Sequence, residues 1–256
     1  MASFLQKFTA ELIGTFGVVF IATGAICSDQ YLAATSQGRL GILAIALAYG
    51  LGYAVMVSAL GHISGGHFNP AVTVGYWVTR RVGTVQGVSF CIAQLVGSII
   101  AAYLLSSLMP DAGWRTRALG AITPDLSSDI TRGQGMAIEA VVTFLFVFVV
   151  FATAVDAKRG MQKLSGFASG LALAAGVLVA SPFTGGSMNP ARTLGPAIAT
   201  HHWENHGVYW VGPLLGAILA AVVYERLFLR DQRPGSSASS AGTSGSETRV
   251  SASHTR

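Results

Sequence analysis

Long apolar runs separated by short polar connections dominate this chain. Residues 12–28, 40–79, 82–110, 164–191 and 207–224 contain no Asp, Glu, Lys or Arg. A membrane-spanning helix needs about 20 mostly apolar residues, and these blocks are long enough. The stretch 133–155 also qualifies, with Glu139 as its single charge. The pattern predicts six spans, near 9–27, 40–60, 84–107, 133–155, 165–182 and 207–229. Two blocks, 40–79 and 164–191, overrun a single span.

Each overrun holds one copy of the same phrase. The first is Gly65-Gly66-His67-Phe68-Asn69-Pro70-Ala71-Val72-Thr73-Val74-Gly75, and the second is Gly185-Gly186-Ser187-Met188-Asn189-Pro190-Ala191-Arg192-Thr193-Leu194-Gly195. Seven of the eleven positions are identical, and every match stands 120 residues later, as Asn69 does to Asn189. Both copies read as helix starts. Asn is a strong N-cap, because its side chain satisfies an orphan backbone N–H. Pro at the next position needs no N–H and already has helical φ. The glycines before it permit a sharp reversal. The phrase therefore predicts two half-helices, 69–79 and 189–200, each entered through non-helical backbone at 61–68 and 183–188.

The repetition extends further. Glu11 is followed by Thr15-Phe16, and Glu139 by Thr143-Phe144. Gln94-Leu95-Val96-Gly97 with Ala101-Ala102 is matched by Pro213-Leu214-Leu215-Gly216 with Ala220-Ala221. The expected organisation is a first repeat at 1–108, a connecting loop at 109–131, a second repeat at 132–230 and a disordered tail at 231–256. Three spans per repeat is an odd number, so the second copy enters the membrane upside down. The fold class is an all-α membrane protein with six transmembrane helices and two re-entrant half-helices in an inverted repeat.

Composition agrees: 11% of residues are charged and 52% hydrophobic, with mean hydropathy +0.56. Basic residues set the orientation. The face holding both termini carries Lys7, Arg80, Arg81, Lys158, Arg159, Lys163, Arg226, Arg230, Arg233, Arg249 and Arg256. Arg39, Arg115, Arg117 and Arg132 fall on the other face, so both termini are expected in the cytoplasm. The net charge of +5 reflects this topology and implies no nucleic-acid partner. The first apolar run is of span length and has no obvious cleavage site, so it reads as a span and not a signal peptide. Cys27 and Cys91 lack metal-ligand spacing and read as small hydrophobes. His201, His202 and His206 read as a solvated outer loop and not as a metal site.

Non-helical backbone at membrane depth is tolerated only where it is buried in protein or lines a water-filled cavity. With inverted copies, Asn69 and Asn189 meet near the midplane, and two helix N-termini aim partial positive charge at one point. That point opposes cations and hydronium but admits a neutral hydrogen-bonding molecule. The Asn amides donate to its oxygen, and carbonyls freed from the helix accept its hydrogens. Arg192 lies one turn into the second half-helix, where an intramembrane charge marks function; it is expected to line the pore. His67 is expected in the cytoplasmic half of the pore, and His62 as an ordinary loop histidine. Glu11 and Glu139 are expected to be structural acceptors for N–H groups of the re-entrant loops. Ser64 and His62 lie two residues apart with no helix-borne base, which argues against a serine hydrolase. No nucleotide loop, metal cage or carboxylate dyad is apparent, so the chain reads as neither an enzyme nor a cofactor protein.

These motifs, across residues 5–230, resemble those of the aquaporin or major intrinsic protein family. The resemblance implies a right-handed bundle with a pore in each protomer of a homotetramer. It implies pore motifs Asn69-Pro70-Ala71 and Asn189-Pro190-Ala191, and an outer constriction of Tyr49, Val177, Gly186 and Arg192. Strict water channels of the family usually carry Phe and His where this chain has Tyr49 and Val177. The combination is closer to plant vacuolar-membrane and ammonia-permeable members. The expected cargo is water, with ammonia, hydrogen peroxide or urea besides. A glycerol or small-polyol facilitator is the alternative, opposed by Thr193, where that branch has Asp.

Overall fold

The computed structural model describes residues 2–109, 124–156 and 161–229. Most of the connecting loop and the tail expected to be disordered lie outside the described residues. Among the described residues the regular structure is helical throughout. In chain order it comprises α1 (Phe4–Ala34), α2 (Gly41–Ser64), α3 (Pro70–Val78), α4 (Thr84–Leu108), α5 (Arg132–Val150), α6 (Ser165–Thr184), α7 (Pro190–Thr200) and α8 (Val208–Phe228). A π turn, Phe151–Val155, extends α5, and a 3₁₀ turn, Met161–Leu164, precedes α6. Six of these helices are long and apolar enough to cross a membrane; α3 and α7 are too short.

The spans run past their expected ends for local reasons. A capping box between Ser3 and Gln6 starts α1 five residues early. At its other end, Asp29 stays inside the helix because its carboxylate accepts from Arg39 at 3.1 Å and from the Gly41 N–H at 2.9 Å. Thr131 and Gln134 form a second capping box at the start of α5. The expected non-helical segments, 61–68 and 183–188, are shorter than predicted. Helix α2 continues to Ser64, and α6 continues through Pro182 to Thr184. Each stops only where Gly65 (φ 103°) or Gly185 (φ 77°) turns left-handed. His62 consequently lies in the last turn of α2 and not in a loop.

The outer surface is apolar, and a set of polar side chains is buried within an otherwise apolar core. Leu43, Val55, Val85, Val141, Val179 and Leu219 face outward, whereas Glu11, Gln94, Glu139, Asn69, Asn189 and Arg192 are buried. Apolar surface gives no drive to pack one helix on another in lipid, so close backbone approach through small residues takes that role. Gly50 abuts Gly170 where α2 meets α6, Gly97 abuts Leu12 where α4 meets α1, and Gly216 abuts Ala140 where α8 meets α5. A Cβ at any of the three would enter the neighbour's carbonyl. We predict that Gly97→Leu sharply reduces the monodisperse fraction of detergent-extracted protein. Overpacking of this kind costs about 1–3 kcal/mol or more. Gly83→Ala, where nothing lies within 4 Å, should leave that fraction unchanged.

Candidate functional site

The two glycine-rich loops, 65–68 and 185–188, are built alike. Both lead into an asparagine with extended backbone whose Oδ1 caps the half-helix that follows. Asn69 Oδ1 accepts from Ala71 N at 2.8 Å, and Asn189 Oδ1 accepts from Ala191 N at 3.0 Å and Arg192 N at 3.3 Å. Pro70 and Pro190 occupy the first helical positions. The residues before the asparagines, Phe68 (φ 48°) and Met188 (φ 50°), are left-handed without being glycine. Such strain persists only where the surroundings over-determine it.

Buried carboxylates provide much of that determination. Glu11 accepts from the backbone N–H of His67 at 3.0 Å and of Phe68 at 2.8 Å. It also accepts from Ser64 Oγ at 2.6 Å and Gln94 Nε2 at 2.7 Å. Glu139 accepts from the N–H of Ser187 at 3.0 Å and of Met188 at 2.7 Å, and from Thr184 Oγ1 at 2.7 Å. Ser64 and Thr184 are matched hydroxyls before each glycine pair; sequence reasoning weighs Ser64 only as a nucleophile and does not single out Thr184. Ser64 also turns back to accept from Gly66 N, as Thr184 does from Gly186 N. Its hydroxyl is committed to Glu11, which leaves it no nucleophile's role.

The asparagine amides then tie each loop to the other. Asn69 Nδ2 donates to Met188 O at 2.8 Å, and Asn189 Nδ2 donates to Phe68 O at 3.1 Å. One N–H of each amide is thus used within the protein, and the Asn189 side chain also hydrogen-bonds Tyr49. Several carbonyls expected to face a solute are taken as well. Tyr49 Oη donates to Ser187 O at 2.9 Å, Tyr53 Oη to Gly66 O at 3.3 Å and Tyr209 Oη to Thr184 O at 2.9 Å. Tyr53 carried no signal in the sequence that distinguished it from a core aromatic.

Tyr49, Val177, Gly186 and Arg192 come together at the second loop. Gly186 has φ 61° and sits so close to Val177 that a Cβ would lie 3.0 Å from the Val177 Cα. The Tyr49 hydroxyl reaches the next carbonyl along, and the buried Arg192 (2% exposed) stands near enough to Tyr49, Tyr209 and Glu139 to act on them electrostatically. His67 is 3% exposed, with Nδ1 3.1 Å from Thr73 Oγ1 and its ring against Tyr76 and Phe90. Thr73 is held by Gln94 Nε2 at 2.9 Å. In the second loop Ser187 takes the place of His67, its hydroxyl 2.6 Å from Thr193 Oγ1. His62, by contrast, is exposed and lines an open cavity of about 490 Å³ with Tyr76, Gly65 and Gln162.

The three histidines expected in an outer loop do not form one cluster. His206 Nε2 accepts from Trp210 Nε1 at 3.0 Å, His201 ends α7, and His202 Nε2 lies 3.2 Å from Asp125 Oδ2. Partial burial pushes the Asp125 carboxyl up, but donors from Asn205, the Leu126 N–H and His202 outweigh it and hold the group below its ordinary value.

Two half-helices whose capped N-termini meet between six apolar spans define a membrane channel built on re-entrant loops. The Major intrinsic protein family profile matches residues 1–224. Aquaporin TIP4-4 of Zea mays is 43% identical over 230 residues, covering 89% of this chain and 88% of that one. Aquaporin TIP2-1 of Arabidopsis thaliana is 39% identical over 229 residues, covering 88% of each. Aquaporin-4 of Mus musculus is 37% identical, covering 90% of this chain and 69% of its own. The crystal structure of the Plasmodium falciparum aquaglyceroporin shares the fold, with TM-score 0.75, 22% identity, and coverage of 90% of this chain and 100% of that chain. The chain belongs to the major intrinsic protein family, and is therefore a multi-pass integral membrane channel for water and small solutes and not an enzyme.

Removing either loop carboxylate should be felt throughout the site. Glu139→Ala strands the N–H groups of Ser187 and Met188, at about 1–3 kcal/mol for each buried donor left unpaired. We predict a midpoint of thermal unfolding lower by several degrees and a loss of most water flux per folded protein. An unchanged midpoint would show that the second loop holds its shape without this carboxylate.

Proposed function

We propose that the chain is a passive water channel that also admits ammonia, hydrogen peroxide or urea and excludes protons and ions. The observation that carries this reading is the reciprocal pair of bonds from Asn69 to the Met188 carbonyl and from Asn189 to the Phe68 carbonyl. It supports two half-helix N-termini converging on one point, where their fields oppose a passing cation. A neutral molecule still finds a donor there, the second N–H of the Asn69 amide. A hydronium at that point meets donors and positive potential.

Asn69-Pro70-Ala71 and Asn189-Pro190-Ala191 then form the midplane of the pore, within two inverted repeats at 1–108 and 132–230. Tyr49, Val177, Gly186 and Arg192 form the outer constriction, and His67 braces the inner half. In this reading Tyr49 narrows the constriction while its hydroxyl spends the Ser187 carbonyl. Val177 supplies an apolar wall without a hydrogen-bonding group, and Arg192 adds a donor and a barrier to cations. That apolar wall favours ammonia or urea beside water. Both termini lie in the cytoplasm, the bilayer surrounds the spans, and four copies assemble as a homotetramer.

Stopped-flow light scattering on proteoliposomes tests the substrate range. We predict osmotic water flux at least about tenfold above empty liposomes, with ammonia or urea uptake that Val177→His reduces severalfold while water flux persists. Glycerol uptake as fast as urea uptake would instead support the polyol facilitator. Absence of water flux would overturn the proposal.

A further inference from the structure

We propose that Asp125, His202 and Glu204 form a binding site for a borderline divalent transition ion such as zinc, on the face opposite the termini. Residue 125 precedes α5 and residues 202 and 204 follow α7, so the six-span topology places all three on that face. The three side chains offer an imidazole nitrogen and two carboxylate oxygens, all within 4.8 Å of one another. A tetrahedral zinc with bonds of about 2.0–2.1 Å needs ligand atoms about 3.3 Å apart. His202 Nε2 and Asp125 Oδ2 already stand 3.2 Å apart. A metal placed between them takes the position of the hydrogen-bonding proton. Glu204 is exposed, so rotation of its side chain closes the remaining distance.

The outer shell around these ligands is already in place. Asp125 Oδ1 accepts from Leu126 N at 2.7 Å and from Asn205 Nδ2 at 3.0 Å, which leaves Oδ2 to face His202. Arg132 Nε donates to Asn205 Oδ1 at 2.8 Å and so holds the amide with its NH₂ toward Asp125. Such support fixes the orientation of a ligating carboxylate and tunes its affinity. Asp125 and His202 are each about one-third exposed in their side chains, at 34% and 33%, so an ion reaches them from solvent. The mixture of one imidazole and two carboxylates suits zinc, copper(II) or nickel over calcium or magnesium, which prefer oxygen throughout.

The position gives the site a structural consequence. Pro124 packs on Gly185, and Ser127 N donates to Phe183 O at 2.8 Å, so the strand of chain at 124–127 lies across the entry to the second loop. Residues 202–204 follow directly from α7, the half-helix that carries Arg192. A bound ion therefore ties the covering segment to the far end of that half-helix.

The test is isothermal titration of zinc chloride into the purified, tag-free full-length protein, alongside His202→Gln, Asp125→Asn, Asn205→Ala and His201→Gln. The wild type and His201→Gln should bind one zinc per chain. His202→Gln and Asp125→Asn should weaken binding at least about tenfold, with Asn205→Ala reducing it by a comparable factor. Zinc should raise the unfolding midpoint of the wild type and not of His202→Gln. Electron paramagnetic resonance of bound copper(II) should show coupling to an imidazole nitrogen that His202→Gln removes. This signature distinguishes ligation from a general loss of folding. No zinc binding by the wild type, equal binding by His202→Gln, or displacement of zinc by equimolar calcium would each overturn the proposal.

Discussion

A peptide group cannot be left without a hydrogen-bond partner inside a bilayer, and here two short stretches of chain abandon the helix at membrane depth. The cost of one unpaired group in hydrocarbon is several kcal/mol, so each loop needs an internal substitute for the helical ladder. Glu11 and Glu139 provide it. Each carboxylate takes two successive backbone N–H groups and a hydroxyl from the end of the preceding helix. Each buried carboxyl group is surrounded by donors. The left-handed Phe68 and Met188 are tolerable because their N–H groups are held by those carboxylates and their carbonyls by the opposite asparagines.

From that constraint the remaining architecture follows. Loops pinned to α1 and α5 present their asparagines to one another, and each amide both caps its own half-helix and bonds the other loop. The two halves of the site are therefore not independent: a shift of either loop breaks a cap and a crossing bond together. Small residues let the spans approach closely enough to enclose this polar centre. Gly50 against Gly170 and Gly216 against Ala140 show the same device in different helix pairs. Outward-facing Leu and Val complete an arrangement suited to lipid.

Much of this was legible in the sequence, for identifiable reasons. Charge-free blocks reveal spans because a charge in lipid is so costly. Asn-Pro after paired glycines reveals a capped helix start because few other residues suit those positions. The role of Glu11 and Glu139 was legible because a buried acid in a span demands donors, and the nearby loops have donors to spare. Helix ends were less legible: the apolar pattern ended the fifth span near 182, yet α6 passes through Pro182 and turns only at Gly185. The tyrosine hydroxyls on loop carbonyls were not legible at all, since Tyr49 and Ser187 are distant in sequence and meet only in the folded bundle. The same holds for Asp125 and His202. Three nearby histidines drew attention to the outer loop, but the partner of one of them lies 77 residues away.

The central claim is that the crossing of the two asparagines passes neutral molecules and stops protons. The most direct test loads proteoliposomes with a pH-sensitive dye and measures osmotic water flux and proton leak on one preparation. The account predicts fast water flux with a pH gradient that decays no faster than in empty liposomes. A gradient that collapses in step with water flux would contradict it.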